Sequence, residues 1–269
     1  YVVISRSGED NYGNIDRHYD ADIIVNTTPV GMYPDCEKLV LDIEPFKNLK
    51  AVCDLIYNPY KTPLLIEAEK RGIAWQNGTD MLTLQALASE KLFDGADSED
   101  DVKIDSFESL RMQNISLIGM PFCGKSTVGI SLAEKLGRKF VDIDAEIEKA
   151  GYSIKELIAS GEDVFRKTES EFVKKYAFES NLVISTGGGV VERQINVDRL
   201  RQNSNVVYLK RSLLPETLEN RPLAQNIEQY ENLKKRRAPL YEAAADITID
   251  NDSSVDDTVD KIIKWWSKL

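Results

Sequence analysis

The segment from Gly119 to Ser126 reads GMPFCGKS and fits the pattern GxxxxGK[ST]. In this pattern the backbone N–H groups of the loop converge on phosphate oxygens, and the helix that follows adds the positive potential of its N-terminus. Lys125 is expected to reach the β- and γ-phosphates of a nucleoside triphosphate, and the Ser126 hydroxyl is expected to bind Mg²⁺. The motif therefore predicts phosphate binding, and it leaves the reaction open.

Two aspartates follow this phosphate loop, in the sequence Asp142-Ile-Asp144 at the predicted end of a strand. Because alternate residues of a strand face the same side, both carboxylates are expected to project together. In a phosphate-loop enzyme one carboxylate could hold Mg²⁺ through water, while the other positions an acceptor hydroxyl and takes its proton. Two solvated aspartates at a strand terminus are the alternative.

A glycine triplet and three arginines complete the set of candidate site residues. Gly187 to Gly189 would let the backbone approach a ligand closely, although a flexible turn is the usual reason for such a run. Arginine is suited to a carboxylate or a transferring phosphate, although each one could also be an ordinary surface residue. The arginines are Arg166, Arg221 and Arg237.

Positioning these residues requires parallel sheets, and the apolar pattern predicts them. In the second half strands are expected at 114–118, 139–141, 182–184 and 205–209, with helices at 126–136, after a capping box at Ser153, and at 255–266. In the first half strands are expected at 1–5, 22–25 and 51–56, with helices at 63–70 and 81–93. Strands that alternate with helices predict an α/β fold in both halves.

An acidic stretch divides the two halves. Seven of the fifteen residues from Asp94 to Glu108 are acidic, one is lysine, and no apolar periodicity is present. Such a segment cannot bury enough surface to offset its ordering entropy, which predicts a solvated linker; an acidic helix end is the alternative.

Composition limits the classes of function. A net charge of −11 over 269 residues argues against broad binding to nucleic acid or to an anionic membrane surface. The single histidine excludes a histidine-rich metal site, and the three cysteines lack paired spacing, which fits a reducing cytoplasm. No apolar run is long enough to span a membrane, and no signal peptide pattern is visible.

The stretch from about Asn114 to Leu269 resembles shikimate kinase. The resemblance rests on five ordered elements: the phosphate loop, the aspartate pair, Phe165-Arg166, the glycine triplet, and Arg221-Pro-Leu followed by RAPLY at 237–241. It implies a nucleoside-monophosphate-kinase-like fold with a five-stranded parallel sheet and a mobile lid. It also implies transfer of the γ-phosphoryl group of ATP to the 3-hydroxyl of shikimate, a step in the synthesis of chorismate and the aromatic amino acids.

The same resemblance implies roles for individual residues. ATP would be bound by Gly119, Cys123, Gly124, Lys125, Ser126, Thr127 and Arg221, and Mg²⁺ by Ser126 and Asp142. The catalytic groups would be Lys125, Asp144 and Arg221, with Asp144 acting as base or positioner of the shikimate hydroxyls. The shikimate carboxylate would be clamped by Arg166 and Arg237, with Gly188 and Gly189 lining the same site.

Two departures from the shikimate kinase pattern limit what can be carried over. The segment between Arg221 and Arg237 is shorter than usual, so the motion of the lid is open. No clear counterpart of the arginine that stacks on adenine is present, so nucleotide selectivity is open as well. Whether Cys123, inside the phosphate loop, has a redox role is also open.

Residues 1–94 resemble the C-terminal part of shikimate dehydrogenase. Three ordered motifs carry this resemblance: NTTPVGM at 26–32, DLIYNP at 54–59 and GTDMLTLQA at 78–86. They imply a partial Rossmann-like NADP-binding domain at 1–94, an acidic linker at 95–112 and a shikimate kinase at 113–269. Shikimate would be reached by Tyr57 and Gln85, the nicotinamide by Gly78 and Met81, and the 2′-phosphate of NADP by Arg6, after the second strand.

The dehydrogenase pattern is incomplete in this chain. The 269 residues include no GxGxxG loop and no substrate domain with its catalytic lysine and aspartate. We therefore expect a fragment of a bifunctional enzyme, missing an N-terminal dehydrogenase segment and inactive in hydride transfer; a natural truncation, in which the remnant only packs or binds, is the other interpretation. The alternatives are a full-length NADP-dependent dehydrogenase with the kinase as passenger, a non-catalytic nucleotide-binding switch, and a phosphate-loop kinase for another small hydroxy acid.

Overall fold

The computed structural model describes residues 1–94, 113–212 and 227–268. They belong to two compact units, one within Tyr1–Ile104 and the other within Asp105–Leu269. The expected linker at 95–112 and the expected lid arginine, Arg221, lie outside the described residues. No helix in the described ranges is long and apolar enough to cross a membrane.

The first unit is built on a parallel sheet of three strands in the order β1-β2-β3. The strands are β1 Ile23–Asn26, β2 Ala51–Asp54 and β3 Ala74–Gln76, and the helices are α1 Pro63–Lys70 and α2 Thr79–Asp94. Helix α1 begins after Thr62, whose hydroxyl accepts the N–H of Leu65, and proline at its first position fits the fixed backbone there. Its apolar face packs with Val52 and Phe46 in the core of this unit.

The strand expected at residues 1–5 does not form. The segment is irregular and closes into a turn, in which the N–H of Ser5 donates to the carbonyl of Asp10 at 3.1 Å. A strand needs a neighbour to accept its backbone hydrogen bonds, and among the described strands only β2 pairs with β1. Arg6 is consequently an exposed residue in a bend rather than a residue at a strand end.

The second unit contains a five-stranded parallel sheet in the order β5-β6-β4-β7-β8. Its strands are β4 Asn114–Ile118, β5 Lys139–Asp142, β6 Leu182–Ser185, β7 Ser204–Lys210 and β8 Ile247–Asp250. Its helices are α3 Lys125–Leu136, α4 Ile143–Lys149, α5 Ile154–Ser160, α6 Glu162–Ala177, α7 Gln194–Asn203, α8 Ile227–Ala244 and α9 Val255–Trp266. The capping box expected at Ser153 is present, since the Ser153 hydroxyl accepts the N–H of Glu156.

Helices cover both faces of this sheet. Alternate residues of β7 enter different cores: Val206 and Tyr208 pack in one cluster with α6, α7 and α8, and Val207 and Leu209 pack in the other with α3 and α9. Every residue of the central strand β4 is buried, as expected for a parallel strand between two layers of helices. The carboxyl ends of the parallel strands meet at one edge, where ligands bind in open α/β sheets.

Candidate active site

The phosphate loop leaves β4 in a conformation that requires its two glycines. Gly119 and Gly124 have φ angles of 146° and 91°, and a Cβ on Gly119 would lie 2.6 Å from the Leu209 carbonyl oxygen. Phe122 also has a positive φ, 67°, which costs about 1 kcal/mol for a residue with a side chain. Its ring packs against the core cluster beneath the loop, and this burial offsets the backbone strain.

Lys125 is the first residue of α3, and its side chain folds back over the loop. Its Nζ donates to the carbonyl oxygens of Gly119 and Met120, each at 2.9 Å, and lies 3.8 Å from Cys123 Sγ. The residue is only 9% exposed, so these carbonyls supply the polar contacts that a buried ammonium group needs. The ammonium group is thus held at the loop, next to where phosphate oxygens would lie.

Ser126 and Asp142 form the oxygen-rich side of the site. Ser126 Oγ donates to Asp142 Oδ2 at 2.6 Å and lies 3.3 Å from Ser185 Oγ, at the end of β6. Hydroxyl and carboxylate oxygens suit Mg²⁺, which keeps several waters and takes few protein ligands beside substrate phosphates. The described residues contain no group of three or more His, Cys, Asp or Glu that could hold a metal by itself.

The two aspartates are not strand neighbours, which corrects the expectation from strand alternation. Asp142 ends β5 and begins α4, where its Oδ1 accepts the N–H of Ala145 at 3.2 Å. Asp144 therefore lies in the first turn of a helix, where a carboxylate is stabilised by the helix dipole. It borders the glycine triplet, because a Cβ on Gly187 would come within 3.0 Å of Asp144 Oδ1.

Arg166 and Arg237 converge on one carboxylate. Glu192 Oε2 accepts hydrogen bonds from the NH2 groups of Arg166, at 3.1 Å, and of Arg237, at 2.6 Å. Both arginine side chains are almost fully buried, with exposures of 7% and 2%. Burial would raise the pKa of Glu192, but the hydrogen bond from Arg237 and the charges of the nearby arginines lower it. The structure thus brings together the two arginines that the resemblance pairs, and their role towards an acceptor stays a prediction.

Arg166 has a second, deeper partner in Glu169, one turn along α6. Its NH1 donates to Glu169 Oε2 at 2.9 Å, and Glu169 is fully buried. Burial raises the pKa of Glu169, the charge of Arg166 opposes this, and the charge of Asp144 adds to it. Burial alone would lower the pKa of Arg166, but the surrounding glutamates raise it, so the guanidinium remains charged.

The glycine triplet is closely packed against the phosphate loop and Arg166. A Cβ on Gly188 would lie 2.8 Å from the Pro121 ring of the phosphate loop, and one on Gly189 would overlap the guanidinium of Arg166. The Tyr241 hydroxyl donates to the carbonyl of Gly188, and its ring stacks on Tyr208 with centroids 5.0 Å apart. The triplet thereby brings the phosphate loop and the arginine pair to the same edge of the sheet.

A sequence model of shikimate kinase matches residues 121–267, more than half of the chain. The chain belongs to the shikimate kinase family. It is therefore a phosphotransferase with the ATP-binding phosphate loop of that family. A shikimate kinase of Clostridium botulinum (strain Eklund 17B) is 41% identical over 156 residues, which cover 56% of this chain and 94% of that protein.

Solved structures agree with the family assignment. Shikimate kinase from Acinetobacter baumannii in complex with shikimate is 34% identical, covers 61% of this chain and 97% of its own, and has a TM-score of 0.55. A chorismate mutase/shikimate 5-dehydrogenase fusion protein from Clostridium acetobutylicum is 35% identical over 40% of this chain and 42% of its own, with a TM-score of 0.37. A score that low supports no conclusion about the fold.

The site of this shikimate kinase family member contains residues that the sequence interpretation missed. Glu192 and Tyr241 contact the arginine pair and the glycine triplet, and Asn251 Nδ2 donates to the carbonyl of Cys123 at 2.7 Å. Tyr241 is the last residue of RAPLY at 237–241 but was given no role there, and no recognisable motif includes Glu192 or Asn251. One feature of the sequence could have pointed to Glu192: it is an acidic residue that follows two valines directly after the glycine triplet. Of the predicted ATP-binding residues, Cys123 is buried and Thr127 is exposed.

In the first unit two of the three dehydrogenase-like motifs line one pocket of about 360 Å³. Its walls come from residues 27–33 and 55–58 and include Tyr57. The third motif touches the second, since Gly78 N donates to Ile56 O at 3.0 Å and a Cβ on Gly78 would overlap the carbonyl of Leu55. Met81 and Gln85 are exposed on α2. Of the five residues that the dehydrogenase resemblance singles out, two therefore lie in or against the segment 55–58: Tyr57 belongs to it, and Gly78 contacts it.

Proposed function

We propose that the second unit phosphorylates the 3-hydroxyl of shikimate and uses ATP with Mg²⁺. The observation that carries the proposal is the convergence of Arg166 and Arg237 on a single carboxylate oxygen. Two buried guanidinium groups that can both donate to one carboxylate oxygen form a binding site for a small carboxylate. Because Gly188 contacts the phosphate loop and Gly189 contacts Arg166, the acceptor would lie beside the phosphate to be transferred.

The phosphate loop and Lys125 account for binding of ATP. Gly119, Cys123, Gly124 and Thr127 would surround the phosphates, and Lys125 would exchange its loop carbonyls for phosphate oxygens. Ser126 and Asp142 would hold Mg²⁺, which neutralises charge on the phosphates when bound. Arg221, outside the described residues, is assigned to closure over the transferring phosphoryl group.

Asp144 accounts for activation of the acceptor. In the proposed step the acceptor oxygen bonds to the γ-phosphorus, the bond from that phosphorus to the bridging oxygen of ADP breaks, and the acceptor proton passes to Asp144. Arg166 and Arg237 hold the acceptor carboxylate, while Gly188 and Gly189 admit its ring. Lys125 stabilises the charge on the phosphoryl oxygens.

The test is shikimate-dependent formation of ADP, with the product identified by phosphorus NMR. Lys125→Met should lower turnover by at least about a hundredfold, since it removes the charge aimed at the phosphates. Lys135→Met is the matched control, because Lys135 lies on the same helix but pairs with Asp256 and Asp260 at the surface. No shikimate-dependent ADP, or faster phosphorylation of another hydroxy acid such as gluconate, would contradict the proposal.

We also propose that the first unit is the 1–94 portion of a shikimate dehydrogenase, followed by a linker at 95–112 and the kinase at 113–269. Support comes from the two motifs that line the pocket and from the buried Asp54, which directly precedes the lining residues 55–58. Burial raises the pKa of Asp54, whose Oδ1 accepts Asn26 Nδ2 at 3.0 Å and whose Oδ2 accepts the Thr62 hydroxyl at 2.7 Å. A cytoplasmic location is part of the proposal, and the three free thiols fit it.

The dehydrogenase proposal is tested on the protein as produced from its intact gene. NADP-dependent oxidation of shikimate should be measurable there, and Tyr57→Phe should weaken it, because the hydroxyl is assigned to the substrate. Exchange of Tyr60, whose ring packs edge-on against Trp75 at 6.1 Å, for Phe is the matched control. Absence of oxidation by a protein that retains kinase activity would refute the bifunctional assignment.

A further inference from the structure

Glu192 ends the short 3₁₀ turn Val190–Glu192 that follows the glycine triplet. Its carboxylate uses both oxygens: Oε2 bridges Arg166 and Arg237, and Oε1 accepts a hydrogen bond from Arg236 at 2.5 Å. The side chain is 19% exposed, in contrast to the buried arginines that it bridges. A carboxylate of the chain therefore occupies the position that the proposed function gives to the carboxylate of the acceptor.

Arg237 has unused hydrogen-bonding capacity. Its side chain is 2% exposed, its NH2 group donates to Glu192, and its buried Nε has no hydrogen-bond partner among the described residues. An unpaired buried donor of this kind costs free energy, which a better-placed ligand would recover. Glu192 thus satisfies the arginine only in part.

We propose that Glu192 is an internal competitor of the acceptor carboxylate, which holds Arg166 and Arg237 in the unliganded protein and gives way when the acceptor binds. Glu192 is then a specificity-determining residue, because only a ligand that bridges both guanidinium groups displaces it. This inference rests on the proposed function, in which the arginine pair holds the acceptor.

Displacement is feasible because Glu192 has a second partner at the surface. Arg236 is 63% exposed, so the carboxylate can turn outwards and remain paired. Glu169 contrasts with it, since its side chain is fully buried and leaving Arg166 would cost the desolvation of an unpaired charge. Glu169 is consequently the fixed support of Arg166, and Glu192 is the exchangeable contact.

The opposite role, a fixed support beside which the acceptor binds, predicts the opposite change in affinity. Removing a support would misalign the arginines and raise the KM for shikimate. Removing a competitor enlarges the fraction of protein that can bind, and the apparent dissociation constant falls in proportion. The sign of the change therefore separates the two roles.

The experiment measures steady-state kinetics and calorimetric binding of shikimate for the wild type, Glu192→Gln and Glu192→Asp. Both variants should lower the KM and the dissociation constant for shikimate by at least about threefold, with kcat and the KM for ATP changed less than about twofold. Asp is included because it keeps the charge but is one methylene too short to bridge. Glu171→Gln, at an exposed position on α6, is the matched control and should leave the constants unchanged.

Each outcome bears on either the inference or the proposed function. Unchanged or raised constants in a folded Glu192→Gln protein would overturn the inference, and so would a lack of carboxylate binding by every protein. Tighter binding of shikimate by the variant, with no phosphorylation by any of the proteins, would uphold the internal competitor and refute the proposed reaction. Thermal unfolding of each variant checks that it is folded.

Discussion

Asn251 Nδ2 donates a hydrogen bond of 2.7 Å to the carbonyl oxygen of Cys123 and so joins the end of β8 to the phosphate loop. The amide is fixed from the other side by Thr258 of α9, whose hydroxyl donates to Asn251 Oδ1 at 2.7 Å. All three residues are buried, where such bonds are strong and costly to break. The loop that receives phosphate is thus held by an element that contributes no motif residue to the site.

Asn251→Ala should therefore loosen the phosphate loop. We expect a loss of about 1–3 kcal/mol in the free energy of unfolding and a higher KM for ATP, with the KM for shikimate little changed. Urea unfolding and steady-state kinetics measure the two effects. Thr258→Val and the double variant complete a thermodynamic cycle, and additive losses would show that the two side chains do not act together.

Asp144→Asn should nearly abolish turnover and leave ATP affinity largely intact. The amide keeps the shape of the side chain but cannot take the acceptor proton, so kcat should fall by about 10²–10⁴-fold. Single-turnover kinetics with calorimetric ATP binding separates the two effects. Asp163→Asn, at a 94% exposed position paired with Arg193, is the matched control. Turnover within tenfold of the wild type would reject the role of Asp144.

The stability contributed by Glu192 should depend on pH. Its pKa is lower in the folded state than the ordinary value of 4.5, so its ionised form favours folding. This contribution is complete above the unfolded pKa and is lost as the pH falls through the folded pKa. The wild type should exceed Glu192→Gln in unfolding free energy at about pH 7, and the difference should shrink towards about pH 3. A difference that is constant with pH would contradict this assignment.

Gly78→Ala should destabilise the first unit by more than about 3 kcal/mol, because the new methyl group would overlap the backbone of Leu55. Gly72→Ala is the matched control: its φ of 67° disfavours alanine by about 1–2 kcal/mol, but a Cβ there meets no atom within 4 Å. Fluorescence of Trp75, with both C-terminal tryptophans replaced by Phe, follows unfolding of this unit. Equal losses in the two variants would argue against the overlap.

Sequence patterns predicted the central architecture of the second unit well. The strand at 114–118 and the helix at 255–266 have the expected bounds, because a continuous apolar run and a 3.6-residue period are local properties of the chain. The phosphate loop could be predicted for the same reason, because its glycines are required by backbone angles within a single short segment. For the same reason the positions of Lys125 and Ser126 could be predicted.

The sequence predictions fail where the structure of a segment, or the role of a residue, depends on contacts with other parts of the chain. Tyr1 to Ser5 has a strand-like composition, but no described strand lies beside it. Asp144 was placed on a strand because the sequence does not show that Asp142 caps a helix and ends β5 there. Glu192 and Asn251 were missed because their importance depends on contacts 45 and 128 residues away along the chain.

Asp142 combines three tasks in one side chain: it ends β5, caps α4 through Oδ1 and receives the Ser126 hydroxyl through Oδ2. A longer glutamate would not preserve the cap, whereas asparagine could keep it through its amide oxygen but would remove the carboxylate assigned to Mg²⁺. Selection of variants for heat resistance alone would therefore tolerate asparagine here, whereas selection for turnover would retain aspartate. The share of asparagine recovered at this position in a library would accordingly tell the two pressures apart.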